Sequence, residues 1–277
     1  MLHFTIRKRT EPLGWQSWAI FLGAVAFSLL VSGGMLALQG KPAIEGMQAF
    51  FQGGFGTQWA LEDALVKAVP IYLCSLGVGI AFRLQIWNIG AEGQYALGAI
   101  GATWAALTFP DLPGALLLPL MLVCATIAGG LWGFIPAILK LRMRANEIIV
   151  SLMLNYIGIR LLEYLVYGIW KDPQSFGFPM TAEFSPAAVI PALGMSRVHW
   201  GLVLCVAIGV AMTLFLRFSR TGYELKISGE SVRAAKYARI PYGKLVILVM
   251  LVSGGLAGWA GFVETSATVG RLQPSVM

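Results

Sequence analysis

The side chains with the most capacity for chemistry fall in one short stretch, Trp87-Asn88-Ile89-Gly90-Ala91-Glu92-Gly93-Gln94-Tyr95, inside an apolar run. Asn88, Glu92 and Tyr95 are spaced i, i+4, i+7, which predicts one shared face on a continuous helix. Gln94 adds a further amide. A carboxylate, two amides and a phenol suit hydrogen bonding to a polar solute better than cleavage of a bond. Gly90 and Gly93 lower helix propensity and permit a break or a close approach. A broken helix lining a cavity is a common way to hold a polar solute within a bilayer. The alternative is that these groups only cement neighbouring helices. A charge deep in a span costs at least about 2.5–3.5 kcal/mol and is functional by default, which favours a solute path.

A second polar set is Asn146, Glu147, Asn155, Arg160 and Glu163. Arg160 and Glu163 are three residues apart, so a local ion pair is expected. Asn155, near the middle of its run, either faces a cavity or donates to a neighbouring helix, and spacing leaves both open. Glu264 is expected at a membrane boundary. Hydrolytic chemistry needs a nucleophile and base at one depth. The two histidines are His3, in the N-terminal tail, and His199, at a span edge, and no Gly-x-Ser-x-Gly occurs. Cys74, Cys124 and Cys205 lie in apolar runs and read as small buried hydrophobes, without disulfide or metal-ligand spacing. The Gly-Lys pairs ending at Lys41 and Lys244 lack the rest of the Gly-x-x-x-x-Gly-Lys-Ser/Thr phosphate loop.

The elements that position these groups follow from composition. Of 277 residues, 57% are hydrophobic and 12% charged, against about 25% charged in a soluble domain. That excludes a water-soluble globule, and so much apolar surface excludes disorder. An apolar run of roughly 20 residues spans the hydrocarbon as a helix. Seven are expected, near 15–38, 64–82, 86–109, 115–139, 147–169, 200–216 and 245–264. The fold class is therefore all-α, a polytopic transmembrane bundle over residues 1–277. Arg7-Lys8-Arg9 precedes the first run, but that run is too long for a signal peptide and is expected to stay uncleaved.

The net charge of +7 reflects 20 Lys and Arg against 13 Asp and Glu. In a membrane chain this points to basic cytoplasmic loops and membrane lipid, not to nucleic acid. With the N-terminus in the cytoplasm, fourteen Lys and Arg fall inside and five outside (Lys41, Lys67, Lys171, Arg197 and Arg271), with Arg160 left in a span. Two outside loops, 39–63 and 171–199, are long enough for short surface helices, as connectors or as docking surfaces. Gly129-x-x-x-Gly133 and Gly254-x-x-x-Gly258 place paired glycines on single helix faces, where backbones can approach.

The inside loop, 217–244, carries Gly229-Glu230-Ser231-Val232-Arg233-Ala234-Ala235-Lys236-Tyr237-Ala238-Arg239-Ile240-Pro241. Ser228 or Gly229 can cap a short helix, Glu230 suits its positive start, and Pro241 ends it. Arg233, Lys236 and Arg239 form a basic row beside Ala234, Tyr237 and Ile240. Such a helix fits a partner's groove or lies on anionic headgroups.

This segment resembles the coupling-helix region of membrane subunits in bacterial ABC importers, in the branch of simple-sugar, branched-chain amino acid and nucleoside permeases. The similarity rests on Gly229, Ala234, Ala235, Tyr237, Ala238 and Ile240, and departs at Arg239, where the family usually has Gly. Ser253-Gly254-Gly255-Leu256-Ala257-Gly258 resembles the family's next helix. The stretch from Asn88 to Gln94, and Asn146-Glu147-Ile148-Ile149 leading to Leu152-Met153-Leu154-Asn155-Tyr156, are similar to signatures of the nucleoside-type permeases. Members usually continue beyond Arg271-Leu272-Gln273-Pro274 with further spans, so this sequence is expected to be truncated.

The resemblance implies an inner-membrane permease subunit, not itself an enzyme. It pairs with a second permease subunit, ATP-binding subunits inside and a periplasmic or extracellular solute-binding protein. No cofactor is held by this chain; the partner binds ATP. Gly229, Glu230, Arg233, Ala234, Ala235, Lys236, Tyr237 and Arg239 would couple to the ATPase. Asn88, Glu92, Gln94, Tyr95 and Asn155 would form the substrate pathway, for a nucleoside or alternatively a simple sugar. An ion-coupled carrier using Glu92 is the rival; it leaves the cytoplasmic helix unexplained.

Overall fold

A computed structural model describes residues 14–274, so Arg7-Lys8-Arg9 and His3 lie outside the described residues. The chain divides at Leu61 into two compact units. In the first, α1 (Gln16–Leu38) turns through Gly40, whose φ of 71° suits glycine, into α2 (Ala43–Phe55). α2 is a short helix within the first long loop.

In the second unit, α3 (Gln58–Arg83, its first turn before the division) is followed by α4 (Ala91–Thr108), α5 (Gly114–Met143) and α6 (Glu147–Tyr167). Then come α7 (Gly201–Phe218), α8 (Arg220–Glu230), α9 (Val232–Tyr237) and α10 (Tyr242–Val263), the last extended by a π-helical turn over Glu264–Val269. Six of the described helices are long and apolar enough to cross a membrane: α1, α3, α5, α6, α7 and α10 with its extension. The chain is the expected all-α polytopic bundle.

The expected span at 86–109 needs correction. Its helix starts at Ala91, and a turn occupies 84–90, with Gln85 at φ 55°. Asn88 therefore does not share a helical face with Glu92 and Tyr95. Its Oδ1 accepts from the Gly90 amide at 3.1 Å, a local bond that competes with helix.

α4, α5 and α10 form the centre, and glycine sets their spacing. A Cβ on Gly129 of α5 would lie 2.4 Å from the Gly254 carbonyl oxygen. One on Gly258 would lie 2.2 Å from the Ala125 carbonyl oxygen, and one on Gly98 of α4 2.2 Å from the Gly258 Cα. The two small-residue seams read from the sequence thus face each other at backbone contact. α3 joins through Gly77, whose Cβ would meet the Ser253 carbonyl oxygen at 2.7 Å. Val69, Leu73, Met121 and Phe262 fill one layer, and Ile86, Val246, Val249 and Met250 another.

The loop between α6 and α7 holds one short 3-10 turn, Pro186–Ala188, as its prolines demand. The segment after α10 fastens it: Phe184 N–H donates to the Gly270 carbonyl at 2.8 Å, and Thr181 N–H to the Leu272 carbonyl at 3.0 Å. His199 closes the loop by an isolated bridge to Ala192. It is buried, and neither ring nitrogen has a hydrogen-bond partner among the described residues. Burial pushes its pKa down, because a charged imidazole would lose its hydration.

The inside loop also differs from expectation. It holds two helices, and Ser231, not Ser228 or Gly229, caps the second by accepting from Ala234 N–H at 3.2 Å. Glu230 closes α8 instead of opening α9. Gly229 lies within α8, and the absence of a side chain lets that turn approach the end of α3, since a Cβ would sit 1.9 Å from the Arg83 carbonyl oxygen. Arg239 adopts φ 54°, the left-handed conformation that favours the glycine usual there in the family it resembles.

Two outcomes follow from this packing. Gly258→Ala forces α4, α5 and α10 apart and is expected to cost about 1–3 kcal/mol by overpacking, read as a lowered thermal midpoint in detergent. Gly79→Ala, within α3 and meeting nothing within 4 Å, is expected to raise the midpoint slightly by helix propensity, about 1 kcal/mol. His199 binds its proton more weakly folded than unfolded, so its contribution is present above the unfolded pKa, near 6.5, and is lost as pH falls. His199→Gln should flatten the decline in thermal midpoint below pH 6.5.

Candidate functional site

The polar groups of the α4 region separate into two sets with different surroundings. The first is a buried network around the turn before α4. Asn88 and Gln94 exchange side-chain hydrogen bonds: Asn88 Nδ2 donates to Gln94 Oε1 at 2.9 Å, and Gln94 Nε2 donates to Asn88 Oδ1 at 3.0 Å. Asn88 Nδ2 also donates to Ser253 Oγ of α10 at 2.8 Å. Asn155 of α6 reaches the same turn from the other side. Its Oδ1 accepts from Gly93 N–H at 2.8 Å, and its Nδ2 donates to the Ile89 carbonyl at 2.8 Å.

Asn88 and Asn155 satisfy backbone groups of the turn that lack helical partners, and Gln94 holds the Asn88 amide in place. Gly93 is needed because a Cβ would stand 2.9 Å from the Asn155 Cα and Oδ1. Asn88, Gln94 and Asn155 are 3%, 1% and 5% exposed and line none of the larger cavities. They hold the site's frame and do not face its space.

The second set borders a cavity of about 860 Å³ between α3, α4 and the end of α10. Glu92 and Tyr95 line it, one turn apart on α4, together with Lys67, Cys74 and Ser75 of α3 and with Glu264. Pro70, Ile71, Val78 and Phe82 supply apolar wall. Glu264 opens the π-helical turn after α10 and faces the same space as Lys67. The cavity thus offers two carboxylates, an ammonium, a phenol and a hydroxyl against a largely apolar wall. That arrangement can bind a small solute with both polar and flat apolar surface, as pocket chemistry generally requires.

Glu264 and Lys67 were not singled out as site residues from the sequence. The signal for Glu264 is its charge at the end of an apolar run, discounted as a boundary position. Lys67 sits in the run 64–82 and reads there as one outer charge. Arg160 and Glu163 form the expected local pair at 2.5 Å. Cys74, Cys124 and Cys205 are free thiols. Among the described residues no cluster of three or more His, Cys, Asp or Glu is placed to hold a metal ion.

The inside segment presents a distinct surface. Glu230, Arg233, Ala234, Lys236 and Arg239 are exposed, and Tyr237 is 93% exposed. Ala235 is fully buried and anchors α9 to its own chain. Gly229 likewise packs inward, so neither offers a contact to a partner.

Comparison with known proteins places this architecture. The family model described as branched-chain amino acid transport system / permease component matches residues 60–275. A guanosine ABC transporter permease protein of Bacillus subtilis is 34% identical, over 94% of this chain and 74% of its own length. A glucose ABC transporter permease protein of Haloferax volcanii is 33% identical, over 96% and 72%. A nucleoside ABC transporter permease protein of Lactococcus lactis is 28% identical, over 87% and 68%. No solved structure gives a significant match. With the family match running from α3 to the segment after α10, this chain belongs to the branched-chain amino acid transport system permease-component family.

Proposed function

We propose that this chain is the membrane subunit of an ATP-driven importer and forms the pathway for a small polar solute, a nucleoside. The carrying observation is the convergence of Glu92, Tyr95, Lys67 and Glu264 on one cavity beside an amide-stapled break before α4. A nucleoside matches that lining: its hydroxyls suit the carboxylates and phenol, and its base suits Phe82 and Ile71. The guanosine and nucleoside relatives support the same solute. The glucose relative supports a simple sugar as the second reading.

In this reading residues 1–277 act as one permease domain in the bacterial inner membrane, with the N-terminus in the cytoplasm. ATP is bound by cytoplasmic partner subunits, a second permease subunit completes the path, and a solute-binding protein delivers from outside. Within the loop 217–244, α9 docks on the ATPase through Glu230, Arg233, Ala234, Lys236, Tyr237 and Arg239. Closure of the nucleotide domains then moves α9 and, through Gly229 against the end of α3, the wall of the cavity.

The test is uptake of labelled nucleoside by cells expressing the permease with its ATPase and binding protein. Uptake should need a live ATPase and ignore unlabelled ribose. Glu92→Gln should lower it about ten-fold, the worth of one charged hydrogen bond, while assembly stays intact. Full uptake by that variant removes Glu92 from the path; no ATPase-dependent nucleoside uptake from an assembled complex moves the solute to a simple sugar. Arg233→Glu and Tyr237→Ala should each reduce co-purification of the ATPase. Normal co-purification of both would defeat the docking role of α9.

A further inference from the structure

A second cavity, of about 480 Å³, shares no lining residue with the first and lies where α8 crosses the ends of α3 and α7. Three cations from three helices line it: Arg83 ends α3, Arg217 stands in the last turn of α7, and Lys226 lies midway along α8. The hydroxyls of Thr213 and Tyr223 border the same space, and no carboxylate does. The nearby Glu224 is engaged by Arg220 at 2.9 Å. Among the described residues Arg83, Arg217 and Lys226 make no ion pair.

The convergence is built into the backbone. A Cβ on Gly222 would lie 2.2 Å from the Leu216 carbonyl oxygen, and one on Gly229 1.9 Å from that of Arg83. α8 is therefore pressed against the ends of both spans. Three like charges, exposed to solvent, border one space, which an anion can enter to meet all three. The Arg217 guanidinium carbon lies 5.5 Å from the centre of the Phe218 ring, a cation–π contact.

We propose that this cavity is a binding site for the phosphate of an anionic phospholipid. Phosphate chemistry follows from the three cations and two hydroxyl donors. The lipid source follows from the surroundings: the cavity sits where two spans end, at headgroup depth, and Leu214, Phe215 and Phe218 are exposed on the adjoining α7 surface. Acyl chains cover such a surface, whereas a free phosphate gains nothing from it. Basic pockets between spans are a recognised form of headgroup site.

Native mass spectrometry of the assembled complex in mild detergent tests this, with phosphatidylglycerol, phosphatidylcholine and inorganic phosphate as separate probes. Phosphatidylglycerol should be retained in preference to phosphatidylcholine, and phosphate should not displace it. Arg217→Ala with Lys226→Ala should weaken retention about thirty-fold, the effect of two basic contacts near an anionic headgroup. Arg217→Lys should retain the lipid. If the double variant does not assemble, Lys226→Gln alone should show a loss of about five-fold. Equal retention of the two lipids, or unchanged retention in the variants, overturns the proposal. Displacement by phosphate assigns the cavity to a free anion and overturns the lipid source.

Discussion

Backbone contact between α4, α5 and α10 is the constraint on which the rest depends. Lipid tails are as apolar as the helices, so burial alone does not drive helices together in a bilayer. What remains is dispersion at short range, which falls away steeply with any gap. Gly98, Gly129, Gly254 and Gly258 remove the side chains that would open one. The three helices consequently form a dense centre against which less apolar elements can be set. α4 gains most, because its small-residue surface would hold poorly in lipid by itself.

That centre fixes where polar chemistry can stand. With α10 against α4, Ser253 comes within reach of Asn88, and the turn before α4 is fastened to α10 as well as to α6. The turn in turn sets the first residues of α4, so Glu92 and Tyr95 are aimed at α3. The π-helical turn after α10 brings Glu264 to the same cavity. Beside the start of the turn before α4, α8 is seated on the ends of two spans by the same device of a missing Cβ.

Much of this was legible in the sequence. Apolar runs located the six long helices to within a few residues at most ends, and paired glycines marked the seams that meet. The Asn88 to Tyr95 stretch stood out by its polarity. Its internal division did not, because i, i+4, i+7 arithmetic assumes an unbroken helix. Whether Asn88 faces a cavity depends on Ser253, 165 positions away. The break between α8 and α9 was hidden for a similar reason: Ser228 and Ser231 are both competent caps, and the contact of Gly229 with Arg83 decides between them. Lys67 and Glu264 escaped because each is an ordinary charge at a span edge until the fold places it beside Glu92.

The reciprocal Asn88–Gln94 pair has a further consequence. Amides do not ionise, and this pair is buried beyond reach of salt. The framework before α4 is thus indifferent to proton concentration and ionic strength. The charges around the neighbouring cavity belong to other side chains, Glu92, Glu264 and Lys67. Support and charge are carried by different side chains a single helical turn apart, so the charges bordering the cavity can be changed by substitution without disturbing the turn that positions them.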